Sequence, residues 1–311
     1  MEKNSSYKYN LITVLGPTAS GKTPFAARLA HLIESEIISA DSRQVYREMD
    51  LGTGKDYQDY EVEGKKIPVH LIDIVDPGYD YNLFEYQRDF SKAFQAINNR
   101  KIIPILCGGS GLYIDAVLSG YNLVDAPINP ALRELLEKKS LAELSRQLSH
   151  MKTLHNTTDS TNKKRVIRAI EIETYARNNE IHTNNIPEIR SLNIGIKNKR
   201  YIERKQITKR LEQRLKHGMV EEVEGLMKKM KPEELTFYGL EYKYVTHYIT
   251  GSLTYTEMFD QLNTAIHQFA KRQMTWFRKM ERQGTFIHWI DAALPMDKKI
   301  RMANYILEEE L

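Results

Sequence analysis

Residues 11–30, LITVLGPTASGKTPFAARLA, decide the fold. The opening LITVL is an apolar run rich in β-formers, the composition of a strand buried on both faces of a parallel sheet. The turn that follows matches the phosphate-cradling spacing G-x-x-x-x-G-K-[ST] through Gly16, Gly21, Lys22 and Thr23. Beyond it, Phe25, Ala26, Leu29, Ala30 and Ile33 recur at helical spacing, with Pro24 in the first turn, where its missing N–H is tolerated. Strand, cradle and helix in that order aim backbone N–H groups and a helix N-terminus at an anion. Lys22 adds charge, and the Thr23 hydroxyl suits Mg²⁺.

The rest of the chain repeats this alternation. EIISA (36–40) predicts a second strand ending at Asp41, IPVHLID (67–73) a third, and FEYQRDFSKAFQAINNR (84–100) an amphipathic helix. KIIPILCGGSGLYIDAVL (101–118) predicts a buried strand that turns through glycines into another helix. The expected fold is α/β, a doubly wound parallel sheet of the P-loop NTPase kind, with ligand loops at the carboxyl ends of its strands. The texture then changes: residues 129–180 are polar, charged and helical in pattern, and strand character returns only at SLNIGI (191–196). The expected division is a first core part over 1–122, a helical insertion over 123–190, and a second, mostly helical core part over 191–311. TFIHWI (285–290) is expected as a late strand.

Composition narrows the class. The chain has 311 residues, 41% hydrophobic and 28% charged, with a net charge of +4, which permits a nucleic-acid partner without demanding one. The single Cys107 excludes an intramolecular disulfide and any cysteine-rich zinc module. The absence of a long apolar run or an apolar N-terminal core predicts a cytoplasmic protein without membrane contact.

Several side chains could carry chemistry. Asp41 ends the second strand, where it fits either a ligand-facing base or a plain helix cap, and Gln44 offers an amide for a base edge. Ser110, framed by glycines in CGGSGLY (107–113), fits close approach to a ligand or an ordinary turn. Asp73 could serve as a metal-holding acid or simply end a buried strand, and no water-positioning group for hydrolysis stands out. Two basic stretches remain. TNKKRVIRAI (161–170) places Arg165 and Arg168 at i and i+3, and HQFAKRQMTWFRKMERQG (267–284) sets five cations among aromatic residues. Each is compatible with a solvated face; together they fit a nucleic-acid surface.

Taken in order, GPTASGKT, ISADSRQVYREMDLGTG, CGGSGLY, KRVIRAIEI, RLEQRLKHGMVEEV and FAKRQMTWFR resemble the tRNA dimethylallyltransferase family in its bacterial form, over about residues 9–290. The resemblance implies transfer of a dimethylallyl group from dimethylallyl diphosphate to N6 of the adenosine just 3′ of the anticodon. It puts the donor's diphosphate against Gly16, Pro17, Thr18, Ala19, Ser20, Gly21, Lys22 and Thr23, with Mg²⁺ on Thr23 and Arg214 balancing charge. It gives catalytic roles to Asp41, Ser110 and Arg214, with Ser110 standing where Thr is usual. The anticodon stem-loop would meet Asp41, Ser42, Arg43, Gln44, Ser110, Arg133, Lys164, Arg165 and Arg168, with Lys271, Arg272 and Gln273 assisting. A monomer is expected for a chain with its own core.

The chain departs from the family pattern in places. LGTGKD (51–56) replaces Gly-Thr-Ala-Lys-Pro, Lys164 stands where Gln is common, ARNNE (176–180) lacks a usual Gly, and FYGLEY (237–242) keeps Gly239 but not the Gly-Tyr-Lys-Glu expected there. The rival readings are an adenylate isopentenyltransferase acting on a free nucleotide and a P-loop nucleotide kinase or ATPase.

Overall fold

A computed structural model describes residues 8–151, 162–179 and 186–310. The N-terminal residues 1–7 and parts of the expected insertion, 152–161 and 180–185, lie outside the described residues. The chain forms two compact units, one of residues 1–120 with 186–311 and one of residues 121–185.

In chain order the first unit contains β1 (Leu11–Leu15), α1 (Lys22–Leu32), β2 (Ile37–Ala40), a short hairpin of β3 (Glu61–Val62) and β4 (Lys65–Lys66), β5 (Val69–His70), α2 (Leu83–Asn98), β6 (Ile105–Gly108) and α3 (Gly111–Leu118). The second unit supplies α4 (Pro130–Glu137), α5 (Leu141–Met151) and α6 (Lys163–Asn178). The first unit then resumes with β7 (Ser191–Lys197), α7 (Arg200–Lys216), α8 (Met219–Met227), α9 (Pro232–Leu235), α10 (Leu240–Ile249), α11 (Tyr255–Arg282), β8 (His288–Asp291) and α12 (Met296–Glu310).

Six strands form one parallel sheet in the order β5-β2-β6-β1-β7-β8. All five residues of β1 are buried, including Thr13, whose hydroxyl is paired with that of Ser191. Its side chains divide between the faces: Leu11 and Leu15 enter one core cluster with Phe90, Phe94 and Phe277, while Ile12 and Val14 enter another with Phe25, Leu29, Ala303 and Leu307. A central strand buried on both sides is what two helical layers produce. Fully burying each large apolar side chain contributes about 1.5–3 kcal/mol, so the two faces fix strand order firmly. The sheet therefore brings the loops after β1, β2 and β6 to one edge, since these strands run parallel and in register from Leu15 and Ala40 to Gly108.

Some expected elements shift. The third strand shrinks to Val69–His70, because Leu71 and Asp73 take positive φ (63° and 55°) and leave the sheet. The late strand begins at His288, three residues on from its expected start, and pairs with β7. A C-terminal helix, α12, follows it and packs Ala303 and Leu307 into the core. No helix begins at Asp41; residues 42–48 form turns with an isolated bridge.

The second unit has its own small core of Leu136, Leu144, Leu148, Val166, Ile167 and Ile170. Asn129 and Asn162 cap α4 and α6, accepting the N–H groups of Leu132 and Arg165. Among the described residues no helix is long and apolar enough to cross a membrane.

Candidate active site

A cavity of about 1260 Å³ opens at the carboxyl edge of the sheet. Thr18, Ala19, Gly21, Lys22 and Thr23 from the first loop, Asp41 to Gln44 from the second and Ser110 from the third line it together. Arg214 of α7 and Arg272 and Gln273 of α11 complete the set drawn from the candidate residues. Gly16, Pro17 and Ser20, in the same first loop, are buried, and Lys271 is exposed on α11.

The cradle is built as its spacing requires. Ala19 and Gly21 take positive φ, 59° and 75°, which folds the loop back so that α1 starts at Lys22. No acid occupies the first turn of α1 to compete with an incoming anion. The Lys22 ammonium reaches the Pro17 carbonyl at 3.3 Å, and burial holds its pKa below the usual lysine value. Ser20 Oγ is buried without a hydrogen-bond partner.

The second and third loops are tied to each other. Ser110 Oγ accepts the Ser42 N–H at 3.1 Å, and the Ser110 N–H donates to the Ala40 carbonyl at 3.2 Å. Asp41 Oδ1 accepts the Arg43 N–H at 2.9 Å, a side-chain turn in place of the helix cap that was the plainer alternative. The second carboxylate oxygen leaves this base capacity to accept from a ligand. Cys107, at the end of β6, is buried and its thiol pushed up to about 12, so it is a neutral packing group.

Two glutamines serve the scaffold. Gln44 accepts from Ser39 Oγ at 3.2 Å and donates to the Gly54 carbonyl at 3.1 Å, so both ends of the amide expected to read a base edge are engaged by protein. Gln273 accepts the Thr18 N–H and donates to the Gly109 carbonyl, each at 2.8 Å, linking the first loop to the third.

Asp73 does not act as a terminal strand acid beside the cradle. It is bonded by Lys55 and Tyr57, and Lys55, with a fully buried side chain, also pairs with Asp50 at 2.9 Å. Glu222 adds to this scaffold by accepting the N–H groups of Asp50, Leu51 and Gly52 at 2.7–3.1 Å. These contacts hold the loop 50–56 as one wall of the cavity. Lys55 and Glu222 were not foreseen; the Gly-rich, charged run LGTGKD was the available signal for the first.

The cations of α7 are the strongest anion signal. Arg214 is 11% exposed, and its Nε and Nη2 have no hydrogen-bond partner. Burial, and then Arg210 one turn away, lower its pKa, yet a guanidinium stays charged at neutral pH. Arg210 also lines the cavity and was missed, although its i, i+4 spacing to Arg214 is plain in the sequence. Among the described residues no group of three or more His, Cys, Asp or Glu side chains could hold a metal. The Thr23 hydroxyl, with oxygens of a bound phosphate, is a donor set that fits Mg²⁺, which keeps several waters and needs few protein ligands.

In the second unit the basic residues separate into two kinds. Arg133 grips Glu171 with two hydrogen bonds of 2.8 Å, and Arg168 meets the same carboxylate at 3.2 Å and the Ala126 carbonyl at 2.7 Å. Lys164 and Arg165 are exposed at the start of α6. On α11, Arg272 lies over the Phe269 ring and Lys279 over Trp276, at 6.0 and 4.9 Å, a cationic and aromatic surface.

Comparison with known proteins gives a consistent result. The profile of the IPP transferase family matches residues 44–280, and that of the isopentenyl transferases matches residues 9–73. The chain is 58% identical to a tRNA dimethylallyltransferase 2 of Bacteroides fragilis over 302 residues, 97% of this chain and 99% of that one. It is 58% identical to the protein of the same name from Phocaeicola vulgatus, over 94% and 96% of the two chains. Among solved structures it resembles the tRNA isopentenylpyrophosphate transferase of Bacillus halodurans, with a TM-score of 0.71, 29% identity and 96% of each chain covered.

Proposed function

Because the chain belongs to the IPP transferase family, we propose that it transfers a dimethylallyl group from dimethylallyl diphosphate to N6 of the adenosine 3′-adjacent to the anticodon in tRNA. One observation carries this reading: Lys22, Thr23, Asp41, Ser110 and Arg214, far apart in sequence, line a single cavity. An anion-binding end and a carboxylate end in one space suit a reaction in which diphosphate leaves as an amine attacks.

The chemistry divides between those ends. The cradle N–H groups, Lys22 and Arg214 bind the diphosphate and stabilise the charge that grows on it as the allylic C–O bond breaks. Mg²⁺ held at Thr23 would supply further charge neutralisation of the leaving group. The adenine N6 forms the new C–N bond, and Asp41 takes the proton that N6 loses. The Ser110 hydroxyl, fixed against Ser42, orients the reacting amine beside Asp41.

The target base must leave the anticodon-loop stack to reach such a cavity. Residues 41–43 at the cavity, Lys164 and Arg165 on the insertion, and Lys271 and Arg272 with their aromatic neighbours are suited to that loop, since unpaired RNA is read by stacking and polar contacts. Arg133 and Arg168 brace the insertion through Glu171, and Gln273 braces the ligand loops through Thr18 and Gly109. The protein acts as a monomer in this scheme.

The test is direct. Purified protein, labelled dimethylallyl diphosphate and an anticodon stem-loop RNA should give N6-prenyladenosine, in a reaction abolished by chelating Mg²⁺. Transfer to AMP instead of RNA would replace this reading with the free-nucleotide one, and phosphate release from ATP without prenyl transfer would replace it with that of a P-loop nucleotide kinase or ATPase.

A further inference from the structure

The departure at LGTGKD puts an acid inside the anion-binding half of the cavity. Asp56 Oδ2 accepts from Arg210 Nη2 at 2.6 Å and lies 3.5 Å from Arg214 Nη2. Gly54 makes room for this arrangement: it holds φ +75°, and a Cβ there would collide with Arg214 Nη2 and come within 2.9 Å of Arg210 Nη2. Both guanidinium groups thus lean into the space a side chain would fill, around one carboxylate.

A salt bridge that merely braced α7 would explain Asp56 but not its imbalance. Arg210 and Arg214 are like charges one helical turn apart, which repel, and among the described residues one partly exposed carboxylate, Asp56, lies within ion-pair distance of both. Arg214 still keeps Nε and Nη2 buried without a hydrogen bond, the 3.5 Å ion pair to Asp56 being too long and poorly aimed to make one. Buried donors in native proteins are normally satisfied, so this pair is arranged for an anion with more oxygens than a carboxylate. The other departure, at FYGLEY, adds Glu241 to the same wall; burial raises its pKa while Arg214 opposes the rise.

We propose that Asp56 is a built-in counter-anion, which holds Arg210 and Arg214 in the donor-free protein and yields them when a diphosphate binds. This rests on the diphosphate reading of the cavity. Asp56 is a positioning residue: it touches the arginines, and through them sets how tightly the diphosphate donor and the diphosphate product are held. A competing carboxylate weakens both, and so promotes release of a product whose charge would otherwise bind it strongly.

The experiment measures inorganic pyrophosphate binding, with Mg²⁺, to the full-length protein by calorimetry. Asp56→Asn keeps the shape of the side chain and an oxygen for Arg210 while removing its charge. The expected result is about tenfold tighter pyrophosphate binding in Asp56→Asn and in Asp56→Ala, corresponding to about 1.4 kcal/mol. Multiple-turnover transfer should then show a burst followed by a slow steady rate, which a merely structural role would not create. Unchanged or weaker pyrophosphate binding in a folded Asp56→Asn protein overturns the proposal. Failure of the unsubstituted protein to bind pyrophosphate at all would remove the diphosphate reading, and Asp56's role with it.

Discussion

Gln273, on the long helix α11, accepts the Thr18 N–H of the phosphate loop at 2.8 Å. Its amide nitrogen donates to the Gly109 carbonyl at the same distance, so one side chain sets the spacing of two ligand loops. Gly109 has no room for a side chain there, because a Cβ would lie 2.5 Å from Gln273 Nε2. A residue whose neighbours in sequence suggest RNA contact therefore acts on the donor end.

Gln273→Ala removes both bonds and leaves a buried carbonyl and N–H to find other partners. The KM for the prenyl donor should rise about tenfold with a fall in kcat, while the Kd for tRNA stays within about twofold. Gln273→Glu should be no better, since a carboxylate cannot donate to Gly109. Steady-state kinetics beside filter binding separates the two readouts. A large loss of tRNA affinity with donor KM unchanged would return Gln273 to the RNA surface.

Asp41→Asn is the sharpest test of the proton acceptor. The amide oxygen can still accept the Arg43 N–H, so the turn survives while basicity is lost. Transfer should drop by about 10²–10⁴, with tRNA binding close to normal. Single-turnover transfer at an unchanged rate would exclude the role.

The fold was legible because β1, the cradle and α1 obey local rules that burial reinforces: an apolar strand, Gly21 at positive φ, and an apolar helical face. The candidate site was legible where chemistry follows a strand end, as at Asp41 and Ser110. What escaped depends on distant partners. Nothing local tells that Lys55 answers Asp50 and Asp73, that Glu222 accepts three N–H groups of a loop far upstream, or that Gln44 and Gln273 turn their amides inward. The basic runs divide for the same reason. Sequence gives the sign of a charge, whereas its task depends on the carboxylate it meets in the fold.

Arg165 and Arg133 make that distinction measurable. Arg165 is exposed, so Arg165→Ala should weaken tRNA binding and reduce the slope of log affinity against log salt by about 1, without altering thermal unfolding. Arg133 instead neutralises Glu171, whose side chain is 1% exposed. Burial pushes the Glu171 carboxyl up, but Arg133, the Asn129 N–H and Arg168 together bring it below its usual range. Arg133→Ala should therefore destabilise the second unit by about 1–2 kcal/mol, a figure held down because Arg133 is 36% exposed and Arg168 still meets Glu171, and seen as an earlier unfolding transition. Equal salt slopes for Arg165→Ala and the unsubstituted protein would contradict the first half, and an unshifted transition for Arg133→Ala the second.

Glu36 sets an acid limit on stability at the edge of the sheet. Its carboxylate takes two bonds from Arg100, at 2.6 and 2.9 Å, and one contact with His70 Nε2 at 2.7 Å. Hydrogen bonding by Arg100, against the opposing effect of burial, lowers its pKa from the ordinary 4.5. A carboxyl depressed in the folded state contributes stability that is complete above the unfolded value. That contribution is lost as pH falls below 4.5 through the folded value. Glu36→Gln should thus cost about 1–2 kcal/mol at pH 7, a modest figure because Arg100 is half exposed and solvent-screened. The gap between variant and unsubstituted protein should close as both become neutral in acid. Urea unfolding midpoints from pH 7 to pH 3 read this directly, and a gap that stays constant across the series would show that packing, not charge, is what Glu36 contributes.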